Sequence, residues 1–383
     1  MGHLINDQGF SPMKKRVASL ALLASAVILS SAALAAPNWQ GSKPVPMFAV
    51  GTDHSPLHYA PGHAPPPVVL QTWSGGFTDL KGHSVTFKMV GQDPASSNTD
   101  THIQTVLIPV IMVYGASNGN MTFDPRAKFT GAMGRKSVMK ALLASPMFDP
   151  GADFMSGSID CGQSQYIDSY QRCNFWSSVQ TNTNYHVILD VIKIRGVRPL
   201  TINVSAAQGS VINNPFGSGV VGTDSISSFD GQIGSYLTSH ASKITPDMFP
   251  FFVSYDIYLT SGGCCIGGYH SARGAQSYGY TTYVDSSGAF SEDIGAVSHE
   301  VGEWLDDPFT NNHVFCNDNS ILENGDPLVP FGQYGTFTQN LNGKTWHPQE
   351  LVFLPYFGAP VSTSANSWYS LHNTMTHVCP GQN

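Results

Sequence analysis

The sequence predicts an α+β fold in which a mixed sheet leads into one long helix, with disulfides and long loops completing the domain. Apolar, β-branched runs of strand length occur at residues 84–90, 103–114, 186–194 and 248–260. A two-faced helical segment covers residues 293–307 and ends before a proline. Only 11% of the residues are charged, whereas glycine, serine and aromatic residues abound, a composition typical of β-rich proteins with many turns.

The first 35 residues are predicted to be a signal peptide. A basic stretch at residues 14–16 precedes the apolar run 17–34, and residues 33–35 form a small-x-small cleavage site before Ala36. The apolar run is short and is followed directly by small residues, which favours a cleaved signal over a membrane anchor. We therefore expect a secreted or periplasmic protein that has no membrane anchor after cleavage.

Net charge restricts the partners of the mature chain. The formal net charge is −8 at pH 7, and removal of residues 1–35, which carry three basic residues and one acidic residue, changes it to about −10. Nucleic acids and anionic membranes are bound through basic surfaces, so neither is expected as a partner. The sequence makes no prediction about the oligomeric state.

The rest of the chain divides into two predicted parts. Residues 36–67 are rich in proline and glycine and are predicted to form an extended N-terminal arm that lies on the domain. Residues 68–383 are predicted to form a single large α+β domain, which can have two lobes. Further segments are predicted as helices at 134–145, 163–179 and 229–240 and as a strand at 278–285.

The polar face of the helix at 293–307 carries the motif H-E-x-x-E. His299 and Glu303 lie one turn apart and can converge on one cation, while Glu300 is rotated by about 100° and can reach a water near that cation. Asp293 is the predicted N-cap, because its carboxylate can accept hydrogen bonds from the first turn. The alternative is an amphipathic helix whose polar face binds no metal.

A third carboxylate, Glu323, follows Glu303 by about twenty residues. At this point the sequence resembles the gluzincin metallopeptidases, whose helix motif is followed by a glutamate ligand at a similar separation. It is still more similar to a group of uncharacterised secreted bacterial proteins with G-Y-H at 268–270, S-H-E-x-x-E-W-x-x-D-P at 298–308 and E-x-G-D-P at 323–327. The resemblance covers roughly residues 160–360 and implies a zincin-like active-site helix. Glu303 stands where gluzincins have histidine.

The first functional hypothesis is a secreted metal-dependent hydrolase, specifically a zinc peptidase acting on a peptide or protein. Its predicted metal ligands are His299, Glu303 and Glu323, and Glu300 is the predicted general base. Two alternatives stay open for the third ligand, and two histidines are candidates to polarise the substrate oxyanion. The alternative ligands are Asp326 and His270, and the oxyanion candidates are His270 and His347.

The second hypothesis is a non-catalytic secreted binding or structural protein. The acidic face of the helix would then bind calcium through carboxylate oxygens or would have a purely structural role. His299 discriminates between the two hypotheses, because calcium avoids imidazole whereas zinc accepts it.

The mature chain contains six cysteines, which in an oxidising compartment imply up to three disulfides. If the predicted helix at 163–179 also included Cys161, Cys161 and Cys173 would lie about three turns apart, which is too far to bond to each other. Each is therefore expected to pair elsewhere. The neighbouring cysteines 264–265 are expected to bond to two distant partners. Cys316 and Cys379 both follow the motif helix and are candidates for a disulfide that fixes a loop there.

Overall fold

A computed structural model describes residues 43–51, 53–57, 68–131, 134–318 and 320–382. These residues all belong to one compact unit, which spans residues 34–383. The predicted signal peptide and part of the predicted N-terminal arm lie outside the described residues.

Strands dominate the described part of the chain, with short helices between them. The strands are β1 Met47–Val50, β2 Thr72–Thr78, β3 Ser84–Val90, β4 Asp100–Tyr114, β5 Thr122–Phe123, β6 Phe129–Gly131, β7 Gly134–Lys136, β8 Ala152–Ser156, β9 Ile159–Ser164, β10 His186–Val191, β11 Leu200–Val204, β12 Val211–Asn213, β13 Val220–Ser225, β14 Phe249–Tyr255, β15 Ile257–Thr260, β16 Cys264–Arg273, β17 Gln276–Tyr283, β18 Gln339–Leu341 and β19 Lys344–Trp346. The α-helices are α1 Val138–Leu143, α2 Tyr166–Asn174, α3 Trp176–Val179, α4 Ile226–His240 and α5 Gly295–Asp306. Short 3-10 helices cover Asp326–Leu328, Gly332–Gly335, Leu354–Phe357, Val361–Thr363 and Ala365–Ser367.

One large mixed sheet organises the fold, which confirms the predicted α+β class. Its strand order is β10-β4-β14-β17-β16-β15-β13-β12, with β1 added to β16 and with β5 and β11 added to β4. The pairs β4–β14 and β14–β17 are parallel, whereas the pairs β15–β16 and β16–β17 are antiparallel. The predicted strand at 248–260 is divided into β14 and β15 at Asp256, whose φ of 52° interrupts the extended backbone.

The sheet separates two hydrophobic cores. In β14, Phe251 and Val253 belong to the core that also contains the apolar side of α5, while Phe252 between them belongs to the core that contains Phe229 of α4. This alternation follows from the two-residue period of a strand, which directs successive side chains to opposite faces. The helix α5 and the helix α4 therefore lie on opposite sides of the sheet.

Helix α5 is buried on all sides, so its predicted polar face does not meet solvent. All twelve of its residues are buried. The predicted N-cap is wrong: the helix begins at Gly295 with Ile294 as N-cap, and Asp293 precedes it with a φ of 40°. The Asp293 carboxylate instead accepts hydrogen bonds from the N–H groups of Ile294 and His347.

Three disulfides pair all six cysteines of the sequence, so no cysteine is free. Cys316 and Cys379 form the predicted bond. The expectation for Cys161 and Cys173 is wrong, because Cys161 lies on β9, which folds back beside α2 and brings the two Cα atoms to 5.4 Å. The neighbouring cysteines 264–265 bond to each other rather than to distant partners, since the other four are already paired.

The predicted helix at 163–179 is also only partly correct, and the reason is local. Its first residues belong to strand β9, and the helical part is divided into α2 and α3 at Phe175, whose side chain enters the core.

None of the helices in the described ranges is long and apolar enough to cross a bilayer. The disulfides are those of a protein that folds in an oxidising environment.

Candidate metal centre

Strand β17 leads into α5, and the packing of α5 brings its polar side chains into the interior. Trp304 stacks on Phe249 with ring centroids 3.8 Å apart, and its indole N–H donates to Ser277 Oγ at 3.0 Å. These contacts fix the rotation of the helix about its axis. As a result His299 and Glu300 are fully buried and Glu303 is 1% exposed.

The protonation of His299 is fixed by Gln349. The Gln349 side-chain N–H₂ donates to the carbonyls of Gly325 and Tyr334, both at 3.1 Å, so its Oε1 must face the other way. That oxygen accepts a hydrogen bond from His299 Nδ1, which therefore carries the proton. The lone pair of His299 is left on Nε2.

The free Nε2 of His299 faces carboxylates. It lies 2.9 Å from Glu303 Oε1 and 3.6 Å from Asp326 Oδ1. Nε2 has no hydrogen-bond partner among the described residues. A lone pair of a neutral imidazole and a carboxylate oxygen repel each other at this separation unless a positive ion or a proton lies between them.

Glu303 is held by the segment that follows the helix. Its Oε1 accepts hydrogen bonds from the backbone N–H groups of Gly325 at 3.1 Å and Asp326 at 3.2 Å, whereas its Oε2 has no partner. A side chain at position 325 would collide with the His299 ring, with its Cβ only 2.7 Å from Cε1. Glycine is therefore required for this close approach of backbone to ring.

His270, on strand β16, lies next to the carboxylates of Glu300 and Glu303. Its Nε2 donates to the backbone oxygen of Asp307 at 3.1 Å, so its lone pair is on Nδ1. Nδ1 lies 3.4 Å from Glu300 Oε2 and 3.8 Å from Glu303 Oε2, and it has no hydrogen-bond partner. Nε2 is 3.8 Å from Glu323 Oε1. The D-P pair at the end of the motif thus serves to orient His270.

The loop that carries Glu323 is anchored to α5 through its next residue. The amide N–H₂ of Asn324 donates to the Gly302 carbonyl at 3.1 Å and to Asp306 Oδ2 at 3.0 Å. Both acceptors lie on the helix, so the position of Glu323 relative to Glu303 is fixed by α5 itself. Asp326, at the end of this loop, is the one member of the group that is exposed.

Two ligand groups result, and they have Glu303 in common. His299, Glu303 and Asp326 form one, and His270, Glu303 and Glu323 form the other; in each, three donor atoms lie within 4.8 Å of one another. The structure thus divides the three predicted ligands between the two groups, with His299 and Glu303 in one and Glu303 and Glu323 in the other. It places Glu323 beside His270 and Glu303, while Asp326, the predicted alternative, lies beside His299.

Burial gives these groups unusual acidities. It lowers the pKa of His270 to about 3 and that of His299 to about 4, because a charged imidazole would be desolvated there. Burial and the neighbouring carboxylates raise the pKa values of Glu300, Glu303 and Glu323 well above the usual range. Both oxygens of Glu300 are buried without a hydrogen-bond partner among the described residues.

A cleft of about 390 Å³ opens beside the group. It is lined by Met47, Phe48, Asp326, Pro327 and Val329, among others. The Phe48 ring lies on the His299 ring with centroids 3.4 Å apart, so β1 forms one wall of the cleft. β1 also pairs in parallel with β16 along residues 266–270, so it joins the large sheet next to His270.

His347 lies in a separate group. Its Nδ1 is 2.8 Å from Asp293 Oδ2 and 3.6 Å from Glu292 Oε1, and this hydrogen bond to Asp293 raises the pKa of His347. The structure does not bring His347 to the donor atoms of His299. The oxyanion role expected for His347 therefore stays a prediction.

Sequence reasoning missed Gln349, which accepts a hydrogen bond from His299, and Asn324, which anchors the loop of Glu323 to α5. Asn324 directly follows Glu323 in the sequence, and Gln349 lies two residues after His347. An amide beside a candidate ligand is the only signal in the sequence, and such amides are common in loops.

Comparisons of the chain with protein-family models, with curated proteins and with solved structures found no match.

Proposed function

We propose that the protein is a secreted metal-dependent hydrolase, specifically a zinc peptidase, whose cation is held by His299, Glu303 and Asp326. The observation that carries this proposal is the 2.9 Å approach of His299 Nε2 to Glu303 Oε1 without a hydrogen bond between them. Gln349 fixes the proton on the opposite nitrogen, so two lone pairs face each other in a buried place. A cation between them removes the repulsion.

The donor set and its spacing suit zinc. Two ligands bound at about 2.0–2.2 Å with an angle of 90–110° lie about 2.8–3.6 Å apart. The corresponding distances from His299 Nε2 are 2.9 Å to Glu303 and 3.6 Å to Asp326. An imidazole among the donors favours a transition metal over calcium.

In the proposed hydrolysis the cation would activate water and substrate, and side chains would accept the proton and bind the peptide. A bound divalent cation would acidify water and polarise a substrate carbonyl. Glu300, whose two oxygens have no other partner, would accept the proton of the attacking water. Asp326 faces the cleft, and the apolar walls formed by Met47, Phe48 and Val329 would receive an apolar side chain of a peptide.

Replacement of Glu300 tests this proposal. Glu300→Gln keeps the size of the side chain but removes the base, so zinc content and folding should persist while cleavage of a peptide library falls about 100-fold or more. Glu292→Gln, which alters a half-buried glutamate of the separate His347 group, is the matched control and should cleave at the parent rate.

Two experimental outcomes would contradict the proposed peptidase mechanism. A purified mature protein that retains zinc but cleaves no peptide would show that the cation is structural. Full activity of Glu300→Gln on peptides that the parent cleaves would show that another group is the base.

A further inference from the structure

We infer that the centre holds two divalent cations bridged by the Glu303 carboxylate, the second of them bound by His270, Glu303 and Glu323. The inference uses the proposed function only for the first cation, and its tests do not depend on hydrolysis. The second cation would take one donor atom from each of His270, Glu303 and Glu323, which lie within 4.8 Å of one another. The arguments for it are the tautomer of His270, the two oxygens of Glu303 and the charge of the carboxylates.

Hydrogen bonds fix the tautomers of His270 and His299 in the same way. Each donates one ring N–H to a fixed oxygen, His299 to the Gln349 side chain and His270 to the Asp307 carbonyl. Metal-binding histidines characteristically make this second hydrogen bond, which leaves the other nitrogen free to bind the ion. In both rings the free nitrogen is buried and without a partner, and in both it faces carboxylate oxygens.

Glu303 presents a different oxygen to each histidine. Oε1 lies 2.9 Å from His299 Nε2, and Oε2 lies 3.8 Å from His270 Nδ1. In two-metal centres, whose ions lie about 3.5–4 Å apart, a bridging carboxylate binds one ion through each of its oxygens. The two oxygens of Glu303 are placed for this role, because each faces the free nitrogen of a different histidine. A single ion at Oε1 would leave Glu303 Oε2 buried beside the Glu323 carboxyl group, with which it can pair only through a shared proton or a second cation.

The charge of the ionised carboxylates also favours more than one cation. Glu300, Glu303, Glu323 and Asp326 carry four negative charges when ionised, and the first three are at most 3% exposed. One divalent cation would leave two negative charges in this group, whereas two would neutralise it. Buried carboxylates that are neither paired nor hydrogen-bonded are strongly disfavoured, so the second cation removes the larger part of the penalty.

The two positions differ in access. His270 is fully buried and Glu323 is 3% exposed, so the second cation would be enclosed by protein. The first position includes the exposed Asp326 and adjoins the cleft. The enclosed cation should therefore exchange slowly and the other rapidly. A mixed imidazole and carboxylate set at both positions suits zinc or manganese.

Metal stoichiometry tests the inference directly. The mature protein is dialysed to equilibrium against a buffer of fixed free Zn²⁺ concentration, and the zinc bound in excess of that in the dialysate is measured by mass spectrometry. We expect two zinc ions per chain in the parent, one in His270→Ala and one in His299→Ala. The more conservative Glu323→Gln should also hold one, which keeps the test decisive if His270→Ala does not fold.

The matched control removes a histidine from the neighbouring acidic group. His347→Ala should still bind two ions, because His347 contacts Asp293 and Glu292 rather than the bridging carboxylate. Loss of one ion in this variant but not in His270→Ala would place the second cation in the His347 group and overturn the inference. A parent that binds one ion, unchanged in His270→Ala, would also overturn it.

Spectroscopy tests the bridge itself. In the Mn²⁺-loaded protein, two ions joined by one carboxylate should give the electron paramagnetic resonance spectrum of an exchange-coupled pair, and Glu303→Gln should abolish the coupling. Two uncoupled Mn²⁺ signals would reject the bridge. Because neither experiment measures cleavage, a coupled pair in a protein without peptidase activity would refute the proposed function alone.

Discussion

Individual side chains around this centre act mainly by fixing protons. Gln349 is locked by two hydrogen bonds to backbone carbonyls, and its oxygen thereby sets the tautomer of His299. The carbonyl of Asp307 does the same for His270. Hydrogen bonds of this kind orient a metal-binding ring and raise its basicity, so in the proposed metal centre Gln349 would increase the affinity for the ion without touching it.

Replacement of Gln349 should therefore weaken zinc binding without destroying the fold. Gln349→Ala removes the acceptor of His299 Nδ1 and frees the ring to rotate, and the dissociation constant for zinc should rise about 10- to 100-fold. Competition with a chromophoric chelator measures this change. Gln180→Ala, at an exposed position, is the control. Equal affinities in the two variants would remove Gln349 from the centre.

At the level of elements, the centre is built where three segments meet: β16, α5 and the loop 323–326. The loop lies close to the helix because Asn324 is bonded to Gly302 and Asp306 and because position 325 has no side chain. Its N–H groups then hold one oxygen of Glu303. In the proposed metal centre the four residues of the motif E-N-G-D would have successive roles: Glu323 as a ligand, Asn324 as the anchor to α5, Gly325 as the point of close approach to His299, and Asp326 as a second ligand.

A methyl group at position 325 should separate this loop from the helix. Gly325→Ala places Cβ against the His299 ring, so the ring or the loop must shift, and zinc affinity should fall about tenfold or more while the overall fold persists. Gly332→Ala is the matched control, since a Cβ there meets no atom within 4 Å. Isothermal titration with Zn²⁺ compares the two, and unchanged affinity in Gly325→Ala would mean that the loop does not hold the ligands.

The elements also show what could be predicted from the sequence. Helix α5 has a regular apolar period and a terminal proline, so its predicted range, 293–307, differs from the observed one by two residues at the start and one at the end. Helix α2 was misplaced because the β9 residues before it contain few apolar side chains and do not alternate. Convergence of Glu323 with the motif could be expected from its spacing, whereas the position of His270 depends on β16 pairing with β17, a contact without local signal.

At the scale of the whole molecule, burial of charge is not confined to the metal centre. Asp224 on β13 belongs to neither ligand group and is fully buried, and neither of its carboxylate oxygens has a hydrogen-bond partner among the described residues. Burial raises the pKa of Asp224 to about 7. Within the described ranges Asp224 belongs to no group of three or more potential metal ligands, so the native state keeps this carboxyl protonated below neutral pH.

Global stability should consequently fall as the pH rises from about 4 to about 7. In that range the native Asp224 holds its proton while the unfolded chain, with an ordinary pKa near 4, has released it, so unfolding is favoured by each increase in pH. Asp224→Asn cannot ionise and should remove this part of the pH dependence, which raises the free energy of unfolding at pH 8 by about 1–3 kcal/mol relative to the parent. Urea denaturation at pH 4.5 and pH 8 measures both quantities, with the exposed-site variant Asp153→Asn as control. If Asp224→Asn gains no more stability at pH 8 than at pH 4.5, the carboxyl is either ionised and solvated in the native state or neutralised by a partner that the described residues do not include.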